Sequence, residues 1–432
     1  FQALISRHAA LRTRFISLEQ AYVEETSPLD LRFATLEPAL MDDLPQLYET
    51  LQQYTNETFD LSRASLLRVH VLRVSSQLQV ILWVMHHIVS DGKSLDILIR
   101  DWVHIYQALK HQGFYLGYKP ELEYHDYVYW QREKMQTETH QRKVAYWVEA
   151  LTGAQGLDFP TDFPRQNRVP QFKVIEFALS AERITSLEKL AKRHQTTLNL
   201  ILLASYALTL YRYTQQTDFV IGVPMLGRED ERLAEVVGFF IDTLPFRVFF
   251  KPEDTVPEVL ERMHRHFSEI LLYQDIPLAE IVPKLNLPRD LTREPLFQVG
   301  YVYQSYIEQL TAVTEDFSGT RLWSFPGGGQ LDFSLIIYPQ AGNFKIVLHY
   351  NGHLCQESTL RQFLRSWEEV LAFITLSEPA SISHFSLLDG ASYQKIVYDW
   401  NRTEALDSNV AYPKDQTIHG LFEAQVRKTP DQ

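Results

Sequence analysis

Cysteine is almost absent, with one residue, Cys355, in 432. An intramolecular disulfide is therefore excluded, and the composition fits a reducing compartment such as the cytoplasm. No base lies near Cys355 in the chain, so a small core residue is expected there in place of a nucleophile. Long apolar runs are missing too. The longest, Leu198 to Leu210, is broken by Ser205 and Thr209 and falls short of the roughly 20 residues of a membrane span. No leader of charged then apolar residues opens the chain. Basic residues are in deficit, 41 Lys and Arg against 54 Asp and Glu, which leaves a formal charge of -13. That balance repels nucleic-acid phosphates and anionic lipid heads and argues against both as partners.

What is present is a globular apolar fraction, 45%, over a length that outgrows one core and predicts two lobes. Phe1, Leu4, Ile5, His8 and Leu11 begin the chain already in helical rhythm, which reads as a piece cut from a longer protein. The β-rich runs Leu66 to Val74 and Leu78 to Val84 flank Ser75, Ser76 and Gln77 and predict a hairpin. After it, Leu95, Leu98, Ile99, Trp102, Ile105, Tyr106 and Leu109 share one helical face, with Ser94 the expected N-cap and Asp96 in the first turn. Helices over 181–194 and 198–213 lead into a strand, Phe219 to Met225. Three prolines between Leu157 and Gln171 mark a crossing between lobes. Further strand-like runs cover Phe297 to Tyr303, Leu331 to Tyr338 and Phe344 to Tyr350. The class is α/β, with lobes in tandem. From Trp400 to Gln432 the composition is that of a linker followed by a short amphipathic segment.

The junction between hairpin and helix reads MHHIVSDG, Met85 to Gly92. Adjacent residues of a strand face opposite ways, so His86 and His87 are poorly placed to share a metal, and His70 and His104 lack ligand spacing. An isolated histidine is most often a satisfied core or surface group. Two histidines followed by Asp and Gly at a strand-to-helix turn weaken that reading, because each residue type has a separate use there. One imidazole, with an ordinary pKa of about 6.5, can take a proton from an amine or hydroxyl, while the other packs inward. Asp91 either orients the ring or fixes the loop through a salt bridge. Gly92 lets the backbone approach a substrate, and the helix N–H groups face developing negative charge. Gly327 to Gly329 lacks the Lys-Ser/Thr of a phosphate loop and reads as a flexible loop.

Filled by His86, His87, Asp91 and Gly92, the pattern HHxxxDG resembles the core motif of condensation domains from non-ribosomal peptide synthetases. RHAALRTRF (Arg7 to Phe15), YHDYVYWQ (Tyr124 to Gln131), IGVPMLGR (Ile221 to Arg228), VGFFIDTLPFR (Val237 to Arg247) and PLFQVGYVYQ (Pro295 to Gln304) resemble the family's other motifs, in order. The tail is similar to the linker and opening of an adenylation domain. The resemblance implies an α/β fold of two chloramphenicol acetyltransferase-like lobes in a V-shaped pseudo-dimer with a central tunnel. The first lobe spans 1–160, with the family's first strand and helix missing upstream of Phe1. The second spans 161–395, and 396–432 holds the linker and the start of the adenylation domain.

The resemblance also implies an acyltransferase that joins a carrier-bound acyl or peptidyl thioester to a carrier-bound aminoacyl group as an amide. His87 would be catalytic, with Gly92 bordering the tunnel beside it. His86, Asp91 and Arg228 would be structural, Arg228 as the salt-bridge partner of Asp91. No cofactor or metal is expected in the domain itself. Substrates would arrive on the 4'-phosphopantetheine arms of donor and acceptor carrier proteins, in the cytoplasm, with the adenylation domain following in the same synthetase. Lys93 stands where an aromatic residue is common and Asp242 where Asn is usual. The rival readings are an epimerization domain, which the adenylation-like tail disfavours, a heterocyclization domain, which would carry Asp in place of the histidine pair, and an inactive docking module.

Overall fold

Short-range periodicity decides most of the elements of this computed structural model, which describes all residues except 118, 167–170, 289, 305–310, 315–316, 321–330, 341–342, 377–380, 389, 403–415 and 430–432. The opening rhythm forms α1 (Gln2–Arg7), which stops at the extended His8. In the first lobe, β1 (Asp30–Thr35) runs parallel to β2 (Leu67–Arg73), which turns back antiparallel into β3 (Gln79–Met85). One face of this sheet is apolar. Leu67 and Val69 pack there against Leu4 and Ile5 of α1 and Ile97, Leu98 and Ile105 of α2 (Gly92–Gln112). The other face keeps Arg68 buried on Asp30, 3.1 Å away.

The start of α2 differs from the expectation. Its N-cap is Asp91, whose Oδ1 accepts the Ser94 N–H at 2.7 Å, so Ser94 is the third residue of the helix and Asp96 lies past its first turn. The carboxylate is the stronger acceptor for the free N–H groups, and the Ser94 hydroxyl is drawn elsewhere. The helix ends at Gly113 in the left-handed conformation, φ 79°.

Two helices, α3 (Tyr124–Met135) and α4 (Glu138–Leu151), tie the first lobe to the second. From α4, Trp147 Nε1 donates to the Tyr273 carbonyl at 2.9 Å, Tyr146 stacks on Tyr273 with ring centroids 3.7 Å apart, and Lys143 meets Asp275 at 2.7 Å.

The second lobe is a six-stranded mixed sheet in the order β4-β9-β8-β7-β5-β6. Its strands are β4 (Phe172–Leu179), β5 (Asp218–Met225), β6 (Asp242–Phe249), β7 (Val299–Tyr303), β8 (Phe333–Gln340) and β9 (Asn343–Asn351). Helices α5 (Ala181–Arg193), α6 (Leu198–Thr214), α7 (Val256–Ile270) and α8 (Glu357–Leu376) pack with it. The apolar run seen in the sequence becomes α6, buried continuously from Leu200 to Tyr211. Its two polar breaks are satisfied inside the core. Ser205 donates to the Leu202 carbonyl and accepts from Trp367 Nε1, while Thr209 donates back to the Ser205 carbonyl. Cys355 is buried, and burial pushes its thiol up to about 12, as a core residue requires.

Phe1–Phe385 forms one compact unit that holds both lobes, and Ser386–Gln432 forms another, containing α9 (Ile418–Lys428). Gly327 to Gly329 lie outside the described residues. Among the described residues no helix is long and apolar enough to cross a membrane.

Candidate active site

The strand β3 ends at Met85, and the histidine pair straddles its end. His86 keeps an extended backbone, whereas His87 opens a 3-10 turn, His87–Val89. Strand alternation therefore does not separate the two rings; the change of backbone does. His86 Nδ1 accepts the Ile88 N–H at 3.1 Å, its ring stands edge-on to Phe59, and burial followed by the neighbouring His87 lowers its pKa. Its Nδ1 is used in closing the turn.

His87 is different. Its ring is exposed, and Nδ1 lies 2.7 Å from the Ser90 carbonyl oxygen. A carbonyl only accepts, so Nδ1 carries the proton and the lone pair resides on Nε2. The edge of Phe239 meets the imidazole, with ring centroids 5.0 Å apart. The backbone of residues 87–90 thus sets both the tautomer and the tilt of this ring.

Asp91 does not touch either histidine in this geometry, because both its oxygens are occupied. Oδ1 accepts from Ser94 N and from Arg228 Nη2 at 3.0 Å; Oδ2 accepts from Arg228 Nη2 at 3.2 Å and from Phe240 N at 3.2 Å. The Arg228 guanidinium is buried with it, donates through Nη1 to the Leu233 and Val236 carbonyls at 2.6 Å each, and lies 4.0 Å from the Phe240 ring centroid. Burial lowers the Arg228 pKa against the pull of Asp91. Of the two uses open to Asp91 in the sequence, the structure assigns the anchoring one.

Three further residues belong to this clamp, and the sequence assigns none of them a role in the site. The Ser94 hydroxyl donates to the Gly238 carbonyl at 2.8 Å and accepts the Gly238 N–H at 3.0 Å, and Tyr124 donates to the Phe239 carbonyl at 2.6 Å. Gly238 has no room for a side chain, since a Cβ would come 2.1 Å from the Tyr124 ring. Together with Phe240 N on Asp91, these bonds hold consecutive peptide groups of 238–240 and so seat Phe239 against His87. The signal was the glycine in VGFFIDT, but its partner lies 144 residues away. Gly92 takes the first helical position and is half-buried, and its φ is not left-handed. Lys93 follows it, half-buried. Among the described residues, no group of three or more His, Cys, Asp and Glu side chains is arranged to hold a metal ion.

A family model for the condensation domain matches residues 1–397. The chain belongs to the condensation-domain family. Tyrocidine synthase 3 of Brevibacillus parabrevis is 31% identical to it over 438 residues, and gramicidin S synthase 2 of Brevibacillus brevis is 29% identical over 436. Each match covers 100% of this chain but only 6% and 9% of the relative, so the condensation domain spans less than a tenth of these synthases. Among solved structures, the X-domain from teicoplanin biosynthesis superposes with a TM-score of 0.80 at 22% identity, covering 90% of this chain and 88% of the other. A four domain nonribosomal peptide synthetase gives 0.78 at 20%, covering 100% and 33%, and the first condensation domain of the calcium-dependent antibiotic synthetase 0.74 at 18%, covering 90% and 89%. At these identities the likeness establishes the fold, the two-lobed chloramphenicol acetyltransferase-like arrangement of condensation domains.

Proposed function

We propose that this condensation domain joins a donor acyl or peptidyl thioester to the amine of an acceptor aminoacyl thioester, both carried on phosphopantetheine arms of carrier proteins. The observation that carries the reading is the committed tautomer of His87: with Nδ1–H on the Ser90 carbonyl, an exposed Nε2 is left as proton acceptor. The amine nitrogen attacks the thioester carbonyl, the C–N bond forms and the C–S bond breaks. The proton lost by the amine passes to Nε2 and on to the departing thiolate, which leaves as the thiol. A thioester is already activated, so most of the acceleration comes from holding two tethered groups together, an effect that can offset roughly 7 to 11 kcal/mol of barrier. The long synthase relatives support carriers and an adenylation domain as partners within one chain.

The test is single-turnover amide formation from loaded donor and acceptor carriers, read by mass spectrometry of the carrier-bound product. His87→Ala is expected to lose about 10²- to 10⁴-fold of rate with unchanged melting. A wild-type rate in that variant removes His87 from the chemistry. Inversion at an α-carbon without amide formation selects epimerization, and no reaction with any donor selects a docking module.

A further inference from the structure

Phe239 borders two places. Its ring edge meets His87, and it also walls a cavity of about 290 Å³ whose aromatic side includes Tyr127 and Trp130 and whose acidic side includes Glu229, Asp242 and Asp275. The three carboxylates are not equivalent. Asp275 holds Lys134 and Lys143 at 2.6 and 2.7 Å and is neutralised by them. Glu229 has Lys134 at 4.0 Å. Asp242 accepts the backbone N–H groups of Thr243 at 2.7 Å and Leu278 at 3.1 Å, and among the described residues no cation forms an ion pair with it, Lys134 of the same cavity being held on Asp275 and His140 on Glu280. All three carboxylates line the one cavity, and burial first, then Glu229, Asp242 and Asp275, raises the Tyr127 hydroxyl there to about 12.

A desolvated carboxylate without a counter-charge is costly to ionise, and burial lifts Asp242 to about 6 against the pull of its two N–H donors. A cation entering the cavity removes that cost. The aromatic wall suits the same ligand, since a cation is attracted to the face of Trp or Tyr, and Lys134 already lies 4.8 Å from the Trp130 ring centroid. An anion would meet net negative charge, and an apolar group would leave Asp242 buried and unpaired.

We infer that this cavity receives an ammonium or guanidinium group at the end of a side chain on one of the two reacting thioesters, with Asp242 as its counter-ion. The inference rests on the condensation reading, which places the reacting groups at His87. Phe239 stands between His87 and the cavity that holds Asp242, so the group has to reach past its ring, which selects a long side chain such as that of lysine or arginine over a short one. Either the donor or the acceptor can supply the group, and the test separates them.

Lysyl and norleucyl pantetheine thioesters differ only in the terminal ammonium. Offered in all four donor and acceptor combinations, with only the donor α-amine acetylated so that the ε-ammonium is kept, they should show a lysyl preference of about tenfold or more on one side. In Asp242→Asn the ratio should fall to near one, and in Glu229→Gln it should fall in part; the latter serves alone if the former does not fold. Equal lysyl and norleucyl rates in every combination overturn the pocket. No amide in any combination overturns the condensation reading instead. The pocket is then decided by calorimetric titration with lysyl- and norleucyl-pantetheine amides, where equal affinities overturn it.

Discussion

At the scale of single residues, the HHxxxDG loop divides its work by backbone conformation. His86 spends Nδ1 on the Ile88 N–H and packs edge-on to Phe59, so His86→Ala should lower the melting temperature by opening the turn, in contrast to His87→Ala. Asp91 and Arg228 stand at 3.0 Å with side chains 0% and 5% exposed. Removing one member leaves an unpaired charge in a dry place, a loss of about 3 to 5 kcal/mol. Asp91→Ala should therefore lose soluble yield and activity together, as read by denaturant unfolding beside the amide assay. An Asp91→Ala protein of wild-type stability and no activity would contradict the anchoring role. Arg228→Lys should rescue poorly, because one ammonium cannot reach Asp91 and the Leu233 and Val236 carbonyls in the guanidinium's fork geometry.

Elements meet at this site through glycines that leave no clearance. Gly227 follows β5 with φ +62°, and a Cβ there would lie 2.0 Å from the Phe240 carbonyl oxygen, a backbone atom that cannot swing aside. Gly113, at the end of α2, has φ +79° and nothing within 4 Å. The pair separates conformational cost from crowding. Gly113→Ala should lose about 1 to 2 kcal/mol and keep its activity, whereas Gly227→Ala should lose about 2 to 4 kcal/mol and displace the 238–240 segment from His87. Equal stability losses in the two variants, measured by urea unfolding, would remove the crowding argument. The segment matters as an element because it comes from the second lobe and Ser94 from the first, so their bonds set the lobes in register at the motif loop.

For the molecule as a whole, two carboxylates give opposite responses to pH. Burial would raise Asp101, but its bonds to His8 at 2.9 Å and Arg7 at 2.7 Å outweigh that and hold it down to about 2. Its folded pKa is below the unfolded value of about 4, so its stabilisation is present above pH 4 and is lost as pH falls from about 4 to about 2. That contribution is about 2 kcal/mol, and the stability gap between wild type and Asp101→Asn should close over this window. Asp242, lifted to about 6, works the other way. Its neutral form is favoured by folding, so wild type should lose stability relative to Asp242→Asn as pH rises from about 4 through about 6. Urea unfolding across pH 2 to 8 reads both, and a gap that moves with the reverse sign at either position refutes the assignment.

Much of this molecule was legible along the chain. The hairpin, the long helix behind it, the buried run that became α6 and the strand-to-helix setting of MHHIVSDG all follow from periodicity and turn chemistry, which act over a few residues. The same local reading misplaced the cap of α2, because Ser and Asp are both good caps and only the competition between their partners chooses. The use of Asp91 and the seating of Phe239 were decided by tertiary structure, whereas the proton on His87 Nδ1 is set locally by the Ser90 carbonyl three residues on. Asp91 meets Arg228 across 137 residues, Phe240 across 149, and Ser94 meets Gly238 across 144. A sequence states which donors and acceptors exist; which of them fills a given lone pair is settled when the lobes exclude water and leave each buried polar group the partners within reach.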